Sequence, residues 1–356
     1  QSFLTSSMSK VKNKNSKPLY VKIIRYMWLA FILGLAGFVL FVVSVNANFL
    51  GLFGEMPEFE SLENPDSELA SELYSADGVL LGKYFRENRT PVTYNELSPN
   101  IINALIATED VRFEEHSGID PRALGRVFVK SILLMQKNAG GSTLSQQTAK
   151  NLFKTRSGDS QGLLSKVPIL GMVIIKTKEW IVATKLESAY TKDEILTMYL
   201  NTSDFGSNAF GIKTAAKTFF NKDTRDLNIL ESATLVGLLK APSYYSPVYN
   251  AENSTRRRNT VMAQMKKIDL ISQVQFDSLS ATPMELEYRV ESHNEGLATY
   301  FREVVKADLL QWTKENLQPD GSNYDLFGDG LKIYTTIDSR LQKYAEEAVQ
   351  EHMSEL

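Results

Sequence analysis

The sequence predicts a mainly α protein carried on a single membrane-spanning helix. From Met27 to Gly54 there is no charged residue, and an apolar run of roughly 20 residues is long enough, as a helix, to cross a bilayer core. From Ser98 to about Tyr245, apolar residues recur at helical spacing behind recognisable caps. β-prone runs are confined to a short hairpin around Asp77-Gly78 and an alternating stretch at Leu331–Ile337.

Residues 1–26 form a basic tail, with Lys10, Lys12, Lys14, Lys17, Lys22 and Arg25 and no acid; Gln1–Ser7, ahead of Met8, is set aside from fold reasoning. Residues 27–50 are the expected transmembrane helix, most apolar from Met27 to Val45. Cations precede the span and Glu55, Glu58 and Glu60 follow it, so the positive-inside rule puts the N-terminus in the cytoplasm and the rest outside. A cleaved signal peptide is the rival reading, with Val45-Asn46-Ala47 resembling a cleavage site. The apolar run is too long for a usual signal core, and a retained single-span anchor is favoured.

Residues 51–70, acidic and holding Pro57 and Pro65, read as a spacer. A hairpin follows at Leu73–Phe85. The helical domain is expected over 71–265, with Ser98-Pro99 as a helix start, and capping boxes at Thr143/Gln146 and Thr191/Glu194. Beyond it, Arg256–Arg258 opens a helical stretch to about Leu270. Residues 317–330 are a loop, and Asp338 caps a helix in which the sequence stops. With 43% hydrophobic and 23% charged residues the chain has the make-up of a folded protein rather than a disordered one. It has no cysteine, which excludes disulfides and thiolate chemistry.

Three constellations could carry chemistry. Glu109 follows Ile102, Leu105 and Ile106 on one helix face. A carboxylate there is desolvated unless paired or used, although a helix-terminal Glu swung into solvent is the ordinary account. His116 has no second histidine at metal-ligand spacing, so a structural hydrogen bond is preferred to zinc. The second runs from Gly140 to Asn151. Its glycine turn leads into a helix on which Thr143, Gln147 and Lys150 fall on one face, suiting a phosphate; a polar surface helix is the alternative. The third is Lys176-Thr177-Lys178-Glu179, with Glu179 on the face of Val182, Ala183, Leu186 and Tyr190. An intrahelical Lys–Glu pair competes with a glycan-cleft role. Between the second and third, Gly162–Ile175 is apolar enough for either core packing or a membrane-dipping segment.

Together these segments resemble, in order, the motifs of the glycosyltransferase module of class A penicillin-binding proteins. Glu109-Asp110, Phe113, His116 and Gly118 resemble the first motif, followed by Arg122 and Arg126; Gly140–Asn151 resembles the second. Lys176–Glu179 resembles the third, and Glu194 to Tyr199-Leu200-Asn201 the fourth. Phe210-Gly211 through Phe220 and Leu238 through Ser243 continue the likeness. It covers about residues 71–265; the anchor, the hairpin and the Leu331–Val349 stretch are similar to a bifunctional member.

The resemblance implies a lysozyme-like helical glycosyltransferase domain after a single transmembrane helix. It also implies that 266–356 is a linker, the start of an α/β region leading into a truncated transpeptidase. It implies a peptidoglycan glycosyltransferase that polymerises lipid II with inversion and releases undecaprenyl diphosphate. Glu109 is then the base for a sugar 4-hydroxyl, and Lys150 and Lys176 neutralise the departing diphosphate, with or without a divalent cation such as magnesium or manganese. Glu179 holds that metal or the developing positive charge, completing a catalytic pair with Glu109. Asp110, Phe113, His116, Ser142, Thr143, Gln147, Asn151 and Lys178 carry over as binding or organising residues.

Expected partners are lipid II, the growing glycan strand, the bilayer and cell-wall synthesis proteins, with no nucleic acid and no organic cofactor. The expected location is the bacterial cytoplasmic membrane, with moenomycin as an inhibitor. Ile175 stands where the family often has Arg, so one phosphate contact is lost or passes to Lys178. The Ser-x-x-Lys spacing of a transpeptidase occurs only at Ser7/Lys10 and Ser9/Lys12, in the tail, so no covalent penicillin binding is expected. A lysozyme-like hydrolase, or a non-catalytic envelope scaffold, is the competing reading.

Overall fold

The computed structural model describes residues 19–56, 70–85, 88–128, 140–153, 162–289, 297–319 and 321–354. In chain order its elements are α1 (Leu19–Asn46), β1 (Ser71–Tyr74), β2 (Leu80–Tyr84), β3 (Asn88–Arg89), α2 (Pro99–Glu109), α3 (Pro121–Phe128) and α4 (Leu144–Leu152). There follow α5 (Pro168–Ala189), α6 (Lys192–Thr202), β4 (Ala209–Phe210), α7 (Ile212–Phe220), α8 (Ile229–Leu238) and α9 (Ala251–Lys267). The series closes with α10 (Gln273–Ala281), α11 (Thr299–Glu315), β5 (Lys332–Tyr334) and α12 (Ser339–Ser354). The mainly α class stands. The chain divides into two compact units, one of residues 1–56 with 161–177 and one of 57–160 with 178–356.

The smaller unit contains α1, which begins eight residues before the expected apolar core and has a mean hydropathy of 2.6 over its most apolar window. Trp28, Phe31 and Leu33 point outward, as suits a helix solvated by lipid rather than by protein. After α1 the chain turns at Asn48, whose side-chain carbonyl accepts from the Phe53 amide at 3.1 Å. Leu52 then receives the Leu164 amide at 3.0 Å, drawing the 162–177 segment alongside. In that segment Leu163, Val167, Ile169, Met172 and Val173 are exposed and Ile174 is buried. Core packing therefore does not account for most of this apolar run.

In the larger unit, α2, α8 and α9 pack on one another. Their seam is apolar: Ile101, Ala104 and Leu105 of α2, Leu235, Val236 and Leu238 of α8, and Val261, Met262 and Met265 of α9 are all buried. Ser98 caps α2, accepting from the Asn100 amide at 3.2 Å with Pro99 at the first turn, so the start read from sequence is formed. α9 begins five residues before the expected Arg256. Asn228 and Thr191 form complete capping boxes at the starts of α8 and α6.

A second, smaller core closes the fold. β1 pairs antiparallel with β2 through the expected Asp77-Gly78 turn and parallel with β5, in the order β2-β1-β5. Leu73, Leu81, Tyr84 and Leu326 are buried there, with Leu309 and Ile333 packed against them. Gly82 sits under the buried Arg302 side chain: a Cβ at Gly82 would lie 2.0 Å from its Nη1. The parallel β1–β5 pairing joins segments roughly 260 residues apart, and periodicity contains no information about it.

Candidate active site

α2 ends at Glu109 because Asp110 leaves the helical region, with φ −156° and ψ 77°. The Asp110 carboxylate turns to the start of α4, accepting the Leu144 amide at 3.0 Å, and lies 3.0 Å from His116 Nε2. An acid at a helix N-terminus is stabilised by the unpaired amides and the helix dipole there. Both side chains of that pair are buried. Asp110 and His116, taken from sequence as binding or organising residues, are therefore tied into the wall of the site. Phe113 is fully buried beneath the same loop.

Thr143 caps α4, its Oγ1 accepting from the Gln146 amide at 3.2 Å and donating to the Gly118 carbonyl at 2.7 Å. The expected capping box is only half formed. Instead of reaching back to the Thr143 amide, Gln146 donates its side-chain amide to the same Gly118 carbonyl at 3.1 Å. Thr143 is thus buried, not part of an outward face with Gln147 and Lys150. Gly118 has φ +87°, and a Cβ there would meet the Ala183 carbonyl carbon and oxygen at 2.8 Å. Only glycine suits both the left-handed conformation and that approach.

Gln147, one turn into α4, is the direct partner of Glu109. Its Nε2 donates to Glu109 Oε2 at 3.1 Å, while its Oε1 accepts from the Tyr199 hydroxyl at 3.2 Å. The Glu109 carboxylate fixes which way the amide faces, because it only accepts and so takes the amide nitrogen, leaving the amide oxygen to the phenol. Burial, and then the charge of Glu109, push the Tyr199 hydroxyl well above its ordinary pKa, so it stays a donor. On the other side Arg257 Nη2 lies 3.9 Å from Glu109 Oε1. Its guanidinium and the Lys240 ammonium each lie 5.8 Å from the Tyr245 ring centre. Glu109 keeps a fifth of its side chain exposed. It is an oriented carboxylate with one face open.

The remaining expected residues are distributed along α4 and α5. Ser142 and Asn151 are half-buried and Lys150 is exposed. Lys178 and Glu179 are buried at 2% and 1% exposure, with Val182, Ala183 and Leu186 of the same stripe at 0%. Lys176 falls in the smaller unit. Among the described residues no group of three or more histidine or acidic side chains could hold a metal. Sequence reasoning did not assign Tyr199, Arg257 or Lys192. Arg258 had a usable signal, since it follows Ser254 and precedes Val261, Met262 and Met265 on the buried stripe of α9. Its neighbour Arg257 follows once α9 is set against α2.

Residues 77–266, more than half of the chain, match the sequence profile of the transglycosylase family. The chain belongs to the transglycosylase family. Among its relatives, penicillin-binding protein 1A of Escherichia coli strain K12 is 32% identical over 299 residues, covering 84% of this chain and 32% of that protein. Penicillin-binding protein 1F of Bacillus subtilis strain 168 is 34% identical over 282 residues, covering 79% and 37%. The chain thus spans about a third of the length of these relatives. A crystal structure of penicillin-binding protein 1A from Haemophilus influenzae aligns over 79% of this chain and 29% of that one, with 23% identity and a TM-score of 0.42. Glu109, Gln147 and Tyr199 all fall within residues 77–266, the segment that matches the family profile.

Proposed function

We propose that this transglycosylase is a peptidoglycan glycosyltransferase that extends a glycan strand from lipid II and releases undecaprenyl diphosphate. The observation that carries the reading is the half-open Glu109 carboxylate held by Gln147 and flanked by Arg257. A sugar 4-hydroxyl is a poor nucleophile, and a carboxylate with a free lone pair is suited to take its proton as it attacks the anomeric carbon. The diphosphate leaves from the opposite face, so the centre inverts. That leaving group requires charge neutralisation more than a proton, which is the role assigned to Lys150 and Lys176. Glu179 is assigned to the developing positive charge, and Ser142, Asn151 and Lys178 to the donor side.

A magnesium or manganese ion fits the scheme only as a guest of the substrate. The described residues offer no cage of their own, and magnesium commonly sits on phosphate oxygens with one or two carboxylates; Glu179 would be its protein contact. We assign α1, which is long and apolar enough to cross a membrane, to the bilayer as a single-span anchor. We assign the basic tail to the cytoplasm, the larger unit to the outer side, and the exposed apolar side chains of 163–173 to the lipid surface that presents the substrate. Moenomycin, a phosphoglycolipid, is expected to occupy the donor side.

The test is polymerisation of lipid II in detergent by the chain and by Glu109→Gln. Loss of a general base typically costs about 10²–10⁴-fold in rate, so the variant should produce no long glycan. Short glycan fragments cut from added polymer would favour a hydrolase. Folded protein without product, from lipid II or from polymer, would favour a scaffold.

A further inference from the structure

Lys192 is the first residue of α6, inside the Thr191/Glu194 capping box but with no part in its bonds, and it joins four pieces of the site's wall. Its ammonium donates to the His116 carbonyl at 2.6 Å and to Glu187 Oε1 at 2.8 Å, and lies 4.4 Å from the centre of the Phe113 ring. Glu187, in the last turn of α5, is buried and also accepts the hydroxyl of Ser145 from α4. The 110–118 loop is thereby held at three points. Asp110 is bound to the α4 amide of Leu144, the Gly118 carbonyl to Thr143 and Gln146, and the His116 carbonyl to Lys192.

We infer that Lys192, clamped by Glu187, is a positioning residue for the transfer reaction; it fixes the loop that follows the base and so the register of Glu109 against Gln147. The argument rests on the function proposed above for the chemistry, and on the contacts alone for the clamp. A lysine suits this place because its three donors satisfy a carbonyl and both carboxylate oxygens at once. The ammonium also gains from the face of Phe113. Truncating it would leave the Glu187 charge buried with one hydroxyl for company, and a carbonyl without its donor. The loop between Asp110 and Gly118 would then be free to shift by fractions of an ångström. Misplacing a catalytic group by about 1 Å can cost about 10²-fold in rate.

Three variants of the full chain in detergent test this: Lys192→Met, Lys192→Arg and Glu187→Gln. Lys222→Met serves as control, since it breaks a similar 2.8 Å lysine–glutamate pair, to Glu231, outside the site. With lipid II as substrate, Lys192→Met should lower kcat about 10–100-fold with KM within about threefold, the pattern of a group that acts on the transition state and not on binding. Lys192→Arg should recover most of the loss, Glu187→Gln should show a smaller one, and Lys222→Met none.

Hydrogen exchange read on peptides covering 110–118 supplies a readout independent of turnover. Exchange there should quicken at least about fivefold in Lys192→Met while α8 peptides stay unchanged. Unchanged exchange at 110–118, or an unchanged kcat in Lys192→Met, overturns the inference. So does a loss matched by the fall in folded protein and not recovered by arginine. If Lys192→Met does not fold, Glu187→Gln read by the same two measurements decides. A chain that makes no polymer at all defeats the proposed function, and the exchange result still decides the clamp.

Discussion

On the α8–α9 side the packing behind Glu109 is largely apolar, with Arg257 of α9 as the charged group that faces the carboxylate, whereas on the α4 side the wall is polar and just as buried. Leu235, Val236, Val261 and Met262 fill the first with no hydrogen bond needed. The second contains Asp110, Thr143, Ser145, Gln146 and Glu187, each joined to a named partner. Apolar packing is non-directional and tolerates small shifts, whereas each hydrogen bond in the second wall fixes a distance and an angle. The difference teaches where precision is needed. α2 is held in place by area, and its last residue is aimed by bonds.

If this contrast is sound, the largest effect should come from the polar wall's tightest backbone approach. Gly118→Ala adds a Cβ against the Ala183 carbonyl and demands a left-handed alanine. Strain and overpacking together should cost about 2–6 kcal/mol, with glycan synthesis abolished. A thermal melt and a polymerisation assay on one preparation check both; a variant within two degrees of the parent would break the contrast. Next comes the apolar wall: Leu235→Ala should cost about 2–5 kcal/mol through its cavity. Unlike Gly118→Ala, it should leave kcat per folded molecule nearly unchanged, as active-site titration would show.

Smaller effects sharpen the same contrast. Asp110→Asn keeps an acceptor for the Leu144 amide but removes the charge facing His116, and should cost about 1–3 kcal/mol in urea unfolding. Its kcat should fall, because Glu109 precedes it directly. Thr191→Ala removes a complete capping box from α6, at about 1 kcal/mol. A loss of catalysis larger than that stability change accounts for would mean that the start of α6, where Lys192 sits, is coupled to the site more tightly than its distance along the chain implies.

The same contrast explains what could be read in advance. The anchor, the starts of α2 and α6, the hairpin turn and the buried stripe bearing Glu179 are local matters of spacing and caps, and the sequence displayed them. Thr143 misled because a cap pattern cannot say whether its glutamine reaches back to the cap amide or across to Gly118, 28 residues earlier. Arg257 beside Glu109, Lys192 beneath His116 and β5 beside β1 depend on partners about 75 to 260 residues away, and no local period encodes such pairs. The motif order carried what periodicity could not, since it named Glu109 and Gln147 before any geometry joined them.

The smallest effect separates the site from the satellite core of β1, β2 and β5. Asp77 in the hairpin turn accepts the Ser339 hydroxyl at 2.6 Å and the Ser339 amide at 2.9 Å, pinning the start of α12. Those bonds, the hydroxyl's first, hold the Asp77 carboxyl well below its ordinary range. A carboxyl whose pKa is depressed by folding contributes stability above its unfolded pKa of about 4, and loses it as pH falls from there toward the folded value. Between pH 7 and about 5 the contact should therefore be indifferent to pH, and below about 4 it should weaken. The protection factor of the Ser339 amide, with the intrinsic pH dependence of exchange divided out, should fall in the parent down that range. In Asp77→Asn it should be low already and flat with pH. Equal acid dependence in both would assign the loosening to other carboxylates. A simultaneous change at 110–118 would mean that the satellite core and the site share one cooperative unit.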